Sequence, residues 1–151
     1  MKYIIISGSS DIGSAIINDL KGKGHEIVST YNTHKNKKMK GLSSFKLNLL
    51  SRKNIKQFAR NKVLINWNCL VILPASQNPI GLFDKTNIDD WCKSLDLNFT
   101  NQIYLLRELI KKRSNNKNIL TNVILWAGTG SNSAPKYYSA YTISKIAQTK
   151  M

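Results

Sequence analysis

The sequence has 151 residues and a mass of 17.1 kDa, enough for one domain whose core needs no disulfide framework. It is 42% hydrophobic and 21% charged, which excludes a disordered chain. Twenty-three Lys and Arg against 8 Asp and Glu give a formal charge of +15, a balance that raises nucleic acid or acidic lipid as partners.

The cations are dispersed, however, and no aromatic platform is interleaved with them, so neither partner is expected. Residues 1–8 are basic and then apolar over Tyr3, Ile4, Ile5 and Ile6 alone, too short for a secretory core or a membrane span. Cys69 and Cys92 form no metal or redox motif and are expected as reduced thiols of a cytoplasmic protein, with no metal site.

In chain order, residues 2–7 read as a first apolar strand. Ile12, Ala15, Ile16 and Leu20 recur at helical spacing, and Gly22 and Gly24 end that helix. Residues 26–31 make a second strand, 32–42 a polar, basic loop, and 45–49 a third strand. A helix is expected over 51–62, capped by Ser51, with Ile55, Phe58 and Ala59 inward. Residues 69–73 are apolar throughout, as in a strand buried on both faces of a parallel sheet. After a loop with Pro74, Pro79 and Gly81, helix is expected over 87–113 with an interruption near Asp96. A fifth strand follows over 119–126, and a last helix starts near Ser139. Strand–helix alternation of this kind predicts an α/β fold: a doubly wound parallel sheet of about five strands, with helices on both faces. Ligands of such sheets bind beyond the carboxyl ends of the strands.

Two places carry chemistry. The first strand-to-helix turn, Ser7-Gly8-Ser9-Ser10-Asp11-Ile12-Gly13, has small residues that let backbone approach a pyrophosphate at a helix N-terminus. Ser9 and Ser10 add hydroxyl donors, and Gly8 is the residue expected to allow the close approach. The second is Tyr141-Thr142-Ile143-Ser144-Lys145, whose four-residue spacing puts Tyr141 and Lys145 on one helical face. A phenol with an ordinary pKa of about 10 exchanges a proton near neutrality only with help, and an adjacent ammonium gives it. The dinucleotide is expected to be NADP(H). The second strand ends Ser29-Thr30-Tyr31-Asn32 with Lys35, Lys37 and Lys38 after it, and no acid stands between Glu26 and Asp84 to hold ribose hydroxyls. His25 and His34 are assigned to the surface, and Trp67, Trp91 and Trp126 to packing.

With these motifs in this order, the chain resembles the amino-terminal part of a short-chain dehydrogenase/reductase, a Rossmann-fold NAD(P)-dependent oxidoreductase. The resemblance implies that Tyr141 is the proton donor/acceptor, that Lys145 lowers its pKa and holds the nicotinamide ribose, and that Asn98, in Leu95-Asp96-Leu97-Asn98-Phe99, takes part in the proton relay. It further implies cofactor contacts from Gly8, Ser9, Ser10, Ile12, Gly13, Tyr31, Asn48, Ala75, Tyr141 and Lys145. A small-molecule carbonyl or alcohol substrate and a homo-oligomer built through the long helices complete the expectation.

Four departures stand beside it. Of the family's T-G-x-x-x-G-x-G, aligned on Ile6 to Gly13, only the last glycine is matched, with Ser7 and Asp11 at the other two. The family's N-N-A-G appears as Leu73-Pro74-Ala75-Ser76. Its catalytic Ser falls at Ala127 or Gly128, leaving Thr129 or Ser131 as substitutes. The chain also stops six residues after Lys145, where family members continue into their substrate-binding part. The alternative expectation is therefore a truncated or degenerate dinucleotide-binding domain without catalysis.

Overall fold

In the computed structural model, residues 1–35, 41–128 and 135–151 are described. Five parallel strands stand in the order β3-β2-β1-β4-β5, with β1 at Lys2–Ile6, β2 at Glu26–Tyr31, β3 at Leu42–Lys46, β4 at Cys69–Ile72 and β5 at Asn122–Leu125. The helices are α1 (Asp11–Gly22), α2 (Arg52–Ala59), α3 (Ile88–Leu95), α4 (Asn101–Ile110) and α5 (Ser139–Thr149).

Alternate residues of the central strands feed two cores, as a sheet covered on both faces requires. Ile4, Ile6, Val28, Leu70 and Ile72 pack with Ile55 and Phe58 of α2 and Leu105 and Leu109 of α4. Ile5, Ile27, Val71 and Leu73 pack with Ile17 of α1. β1 and β4 run parallel, but the progression of strands across the sheet switches direction between them, and their ends are tied by the Leu73 N–H donating to the Ile6 carbonyl at 3.3 Å. That switch opens a crevice at the strand ends.

Three expected boundaries shift. The third strand starts three residues earlier than expected, because Leu42 to Lys46 pair in register with Ile27 to Tyr31. Leu47 and Leu49 leave the ladder but stay buried, so their apolar character serves the core and not a strand. The second helix ends at Ala59, and Asn61 then accepts from the Val63 N–H to start a separate 3-10 turn at Lys62–Leu64. The fifth strand forms only over Asn122–Leu125. Its Val123 and Ile124 are exposed, and it is an edge of the sheet among the described residues.

The expected interruption near Asp96 is a π-helical turn at Asp96–Thr100, between α3 and α4. The expected packing role of Trp67 is met: it is fully buried and its Nε1 donates to the Leu109 carbonyl at 2.9 Å. Trp91 donates to Ser139 Oγ at 2.9 Å, while Trp126 is largely exposed. Burial pushes the Cys69 thiol up, away from thiolate; Cys92 is exposed, and both are free. His25 rests against the Tyr3 ring at the surface. Among the described residues no helix is long and apolar enough to cross a membrane, and no group of residues could hold a metal ion.

Candidate dinucleotide and proton-transfer site

The turn after β1 is built by its own serines. Ser10 caps α1: its Oγ accepts from the Gly13 N–H at 3.1 Å and donates to the Ser7 carbonyl at 2.8 Å. The hydroxyl hydrogen expected for an anion is thus committed to the turn itself. Ser7 lies at φ 65°, a left-handed conformation, at the position where the family motif has its first glycine, and its N–H donates to Thr30 Oγ1 at 2.9 Å. A Cβ at Gly13 would meet the backbone of Gly8 and the Ser7 carbonyl, so glycine is required for α1 to seat against the turn. A Cβ at Gly8 would meet Ser29 and Ile17, so the small residue there serves packing beneath the turn. Ser9 is half-buried, and the N–H groups of Asp11 and Ile12 fall in the first helical turn, which has no preceding carbonyls to receive them.

A cavity of about 200 Å³ opens beside Ser7 at the strand ends. It is lined by Thr30, Tyr31, Asn32, Asn48, Pro74, Ala75 and the apolar Leu47, Leu49 and Leu97 among others. Tyr31, Asn48 and Ala75 thus line one cavity. Gly8, Ser9, Ser10, Ile12 and Gly13 form the adjoining turn and do not line the cavity. Asn48 Oδ1 accepts from the Leu50 N–H at 2.9 Å, so what it offers a ligand is its Nδ2 donor. Lys35 is exposed; Lys37 and Lys38, the other cations expected near a ribose phosphate, lie outside the described residues, as do Thr129 and Ser131.

Tyr141 and Lys145 stand together on α5, and Asn98 lies on the π-helical turn against which α5 packs. Asn98, fully buried in the π turn, grips the loop after β4. Its Oδ1 accepts from the Ser76 N–H and its Nδ2 donates to the Ser76 carbonyl, both at 2.8 Å, with a second bond to Ser94 Oγ at 3.0 Å. Lys145 is fully buried on α5; its Nζ donates to the Trp126 carbonyl at the end of β5 and to Gln148 Oε1, each at 2.9 Å. Burial lowers its pKa to about 8, and among the described residues no carboxylate pairs with it. Nζ stands 5.8 Å from the centroid of the Tyr141 ring, within cation–π reach. Tyr141 is itself nine-tenths buried, and its hydroxyl lies against Gly128, where a Cβ would strike it. The site thus holds a phenol hydroxyl at the end of β5, an ammonium behind its ring, and a side-chain clamp on the neighbouring loop.

Sequence reasoning missed Gln102 and Gln148, which stand buried behind Lys145. A polar residue three positions after Lys145 is ordinary in a helix, and only the packing of α5 on the π turn shows that it faces inward.

No protein-family model matches the sequence, and no curated protein sequence does. Among solved structures, the chain is similar to a short chain dehydrogenase family protein of Francisella tularensis (TM-score 0.88, 20% identity), over 99% of this chain and 60% of that one. It is similar to serine dehydrogenase of Escherichia coli (TM-score 0.84, 16% identity, 99% and 72% covered). It is likewise similar to a short-chain dehydrogenase/reductase of Serratia marcescens (TM-score 0.84, 19% identity, 99% and 67% covered). The chain thus spans about three-fifths of the length of the Francisella protein. From β1 to the helix bearing Tyr141 and Lys145, it has the Rossmann-type fold of the short-chain dehydrogenases/reductases.

Proposed function

We propose that the chain provides the dinucleotide-binding and proton-transfer parts of a short-chain oxidoreductase, which moves hydride between NADP(H) and a carbonyl or alcohol carbon. The observation that carries this reading is the buried Tyr141–Lys145 pair at the end of β5, on the strand-end side where a doubly wound sheet takes its ligand. The residues suit a dinucleotide. A half-apolar cavity with Asn48 and Tyr31 accepts an adenosine, and the first turn of α1 faces the place of a pyrophosphate. NADP(H) is favoured over NAD(H) because β2 ends without a carboxylate and the loop after it is basic.

When bound, the nicotinamide ring supplies or accepts the hydride. Tyr141 gives its hydroxyl proton to the carbonyl oxygen in reduction and recovers it in oxidation. The Lys145 ammonium, charged below its pKa of about 8, favours the phenolate that Tyr141 becomes. It has three N–H donors; Trp126 and Gln148 take two, and the third is available to a ribose hydroxyl. Asn98 acts by holding Ser76, and with it the loop that walls the site. A cytoplasmic homo-oligomer paired through its helices belongs to the same reading.

Fluorescence titration with NADPH and NADH, followed by NADPH oxidation with a panel of aldehydes and ketones, tests it. Tyr141→Phe is expected to bind NADPH as the unaltered chain does and to lose about 10²–10⁴-fold in turnover. Unchanged turnover in that variant overturns the proton-transfer role. A second reading, binding without catalysis, is favoured by Ala127 and Gly128 standing where the family's catalytic Ser falls. NADPH oxidation by the 151-residue chain with any carbonyl of the panel rejects it.

A further inference from the structure

The Lys145 ammonium is one end of a buried hydrogen-bond chain. Gln148 Oε1 accepts from Lys145 Nζ at 2.9 Å, and Gln148 Nε2 donates to Gln102 Oε1 at 2.7 Å. Gln102 Nε2 then donates to the carbonyls of Pro74, at 2.8 Å, and Leu97, at 3.0 Å. Gln102 is fully buried and Gln148 nearly so.

Both ends of this chain run one way only. An ammonium has no acceptor, and a carbonyl oxygen has no donor. Turning over the Gln148 amide would set an NH₂ group against the ammonium. Turning over the Gln102 amide would set its oxygen against two carbonyls. The two ends therefore orient both amides, and because both side chains are buried the chain is held as a unit. Pro74 and Leu97, where the chain ends, also line the strand-end cavity.

We propose that Gln102 and Gln148 are positioning residues for Lys145, a one-way relay that fixes the ammonium and ties it to the cavity wall at Pro74. Neither side chain lines the cavity, so each acts through Lys145. The relay holds Nζ beneath the Trp126 carbonyl with its third N–H directed, and a ligand pressing on the loop at Pro74 is felt at the ammonium. The relay is a claim about the free chain; its consequence for turnover rests on the function proposed above.

The test uses the whole chain labelled with ¹⁵Nζ-lysine, with the Lys145 ammonium signal assigned by its loss in Lys145→Arg. In the unaltered chain the ammonium is expected to give a resolved, slowly exchanging signal. Gln148→Leu is expected to speed its exchange at least about tenfold, the effect of losing one charged hydrogen bond. Gln102→Leu, which touches Lys145 nowhere, is expected to shift or broaden the same signal, and Gln148→Glu, which keeps an acceptor on the ammonium, to preserve slow exchange. Should the Leu variants not fold, Gln102→Glu, whose carboxylate cannot donate to the Pro74 and Leu97 carbonyls, takes the place of Gln102→Leu and is expected to shift or broaden the same signal. A Lys145 signal indifferent to both Gln102 variants, or absent from the unaltered chain, overturns the relay. A second arm adds NADPH: the Lys145 signal is expected to move in the unaltered chain and to move less in Gln102→Leu. Failure of NADPH to bind at all counts against the proposed function, whereas the relay stands or falls on the first arm.

Discussion

Gly128 and the hydroxyl of Tyr141 occupy adjoining space at the end of β5, and no side-chain atom fits between them. Gly128 also has φ +82°, which L side chains adopt only at a cost of about 1–3 kcal/mol. Restoring the family's hydroxyl by Gly128→Ser is therefore expected to displace Tyr141 and to lower stability by at least about 1 kcal/mol. Gly128→Ala is expected to do the same, because the conflict begins at Cβ. Urea unfolding of both variants checks this; unchanged midpoints would show that the turn adapts.

Ser7 makes the converse case. It sits at φ 65° where the family motif has glycine, and its backbone N–H is held by Thr30. Ser7→Gly removes a left-handed strain of about 1–2 kcal/mol and adds about 0.5–1 kcal/mol of chain entropy to be lost on folding. The expected net is between no change and a gain of about 1.5 kcal/mol. Ser7→Val, β-branched at a positive φ, is expected to lose more than about 1 kcal/mol. Thermal midpoints of the two variants, moving in opposite directions or with Ser7→Gly flat, are the expected result.

The order of strands and helices was legible because the central strands are apolar without alternation and α1 keeps its helical spacing. The interruption near Asp96 was legible too, though its π-helical form was not. Leu47 and Leu49 misled the placement of β3, since burial against α2 looks the same in sequence as burial in a ladder. At the site, the spacing of Tyr141 and Lys145 was readable, whereas the packing constraint at Gly8 and the capping bonds of Ser10 were not. A small residue that packs inward and one that opens to a ligand have the same letter, and a serine cap is told from a serine donor only by where its hydrogen points. Gln102 and Gln148 are 46 positions apart, and nothing local announces that their amides meet.

Asn98, itself fully buried, holds the half-buried Ser76 by two bonds, one in each direction. Asn98→Ala leaves the N–H and C=O of Ser76 without those partners and empties the space of the amide. Unsatisfied groups cost about 1–3 kcal/mol each when fully buried, and Ser76 is half-buried, so a loss of about 2 kcal/mol is expected. Denaturant unfolding measures it. A loss below about 1 kcal/mol would mean that water or a shifted loop replaces the clamp.

Lys145 gives stability a pH dependence of determinable sign. Burial lowers its pKa from 10.5 in the unfolded chain to about 8 in the folded one. Between these values the unfolded chain binds more protons, so stability rises with pH. Below about 8 the cost of burying the ammonium is present in full; it is relieved as pH climbs through 8 and is gone above 10.5. Lys145→Met lacks this gain, although it leaves the Trp126 carbonyl and Gln148 Oε1 without their donor at every pH. The stability of the unaltered chain relative to Lys145→Met is therefore expected to increase from pH 7 to pH 10. Urea midpoints of the two proteins at pH 7, 8.5 and 10 give that difference. A difference that stays constant would mean that the ammonium keeps its ordinary pKa in the fold, its hydrogen bonds to the Trp126 carbonyl and Gln148 offsetting the cost of burial.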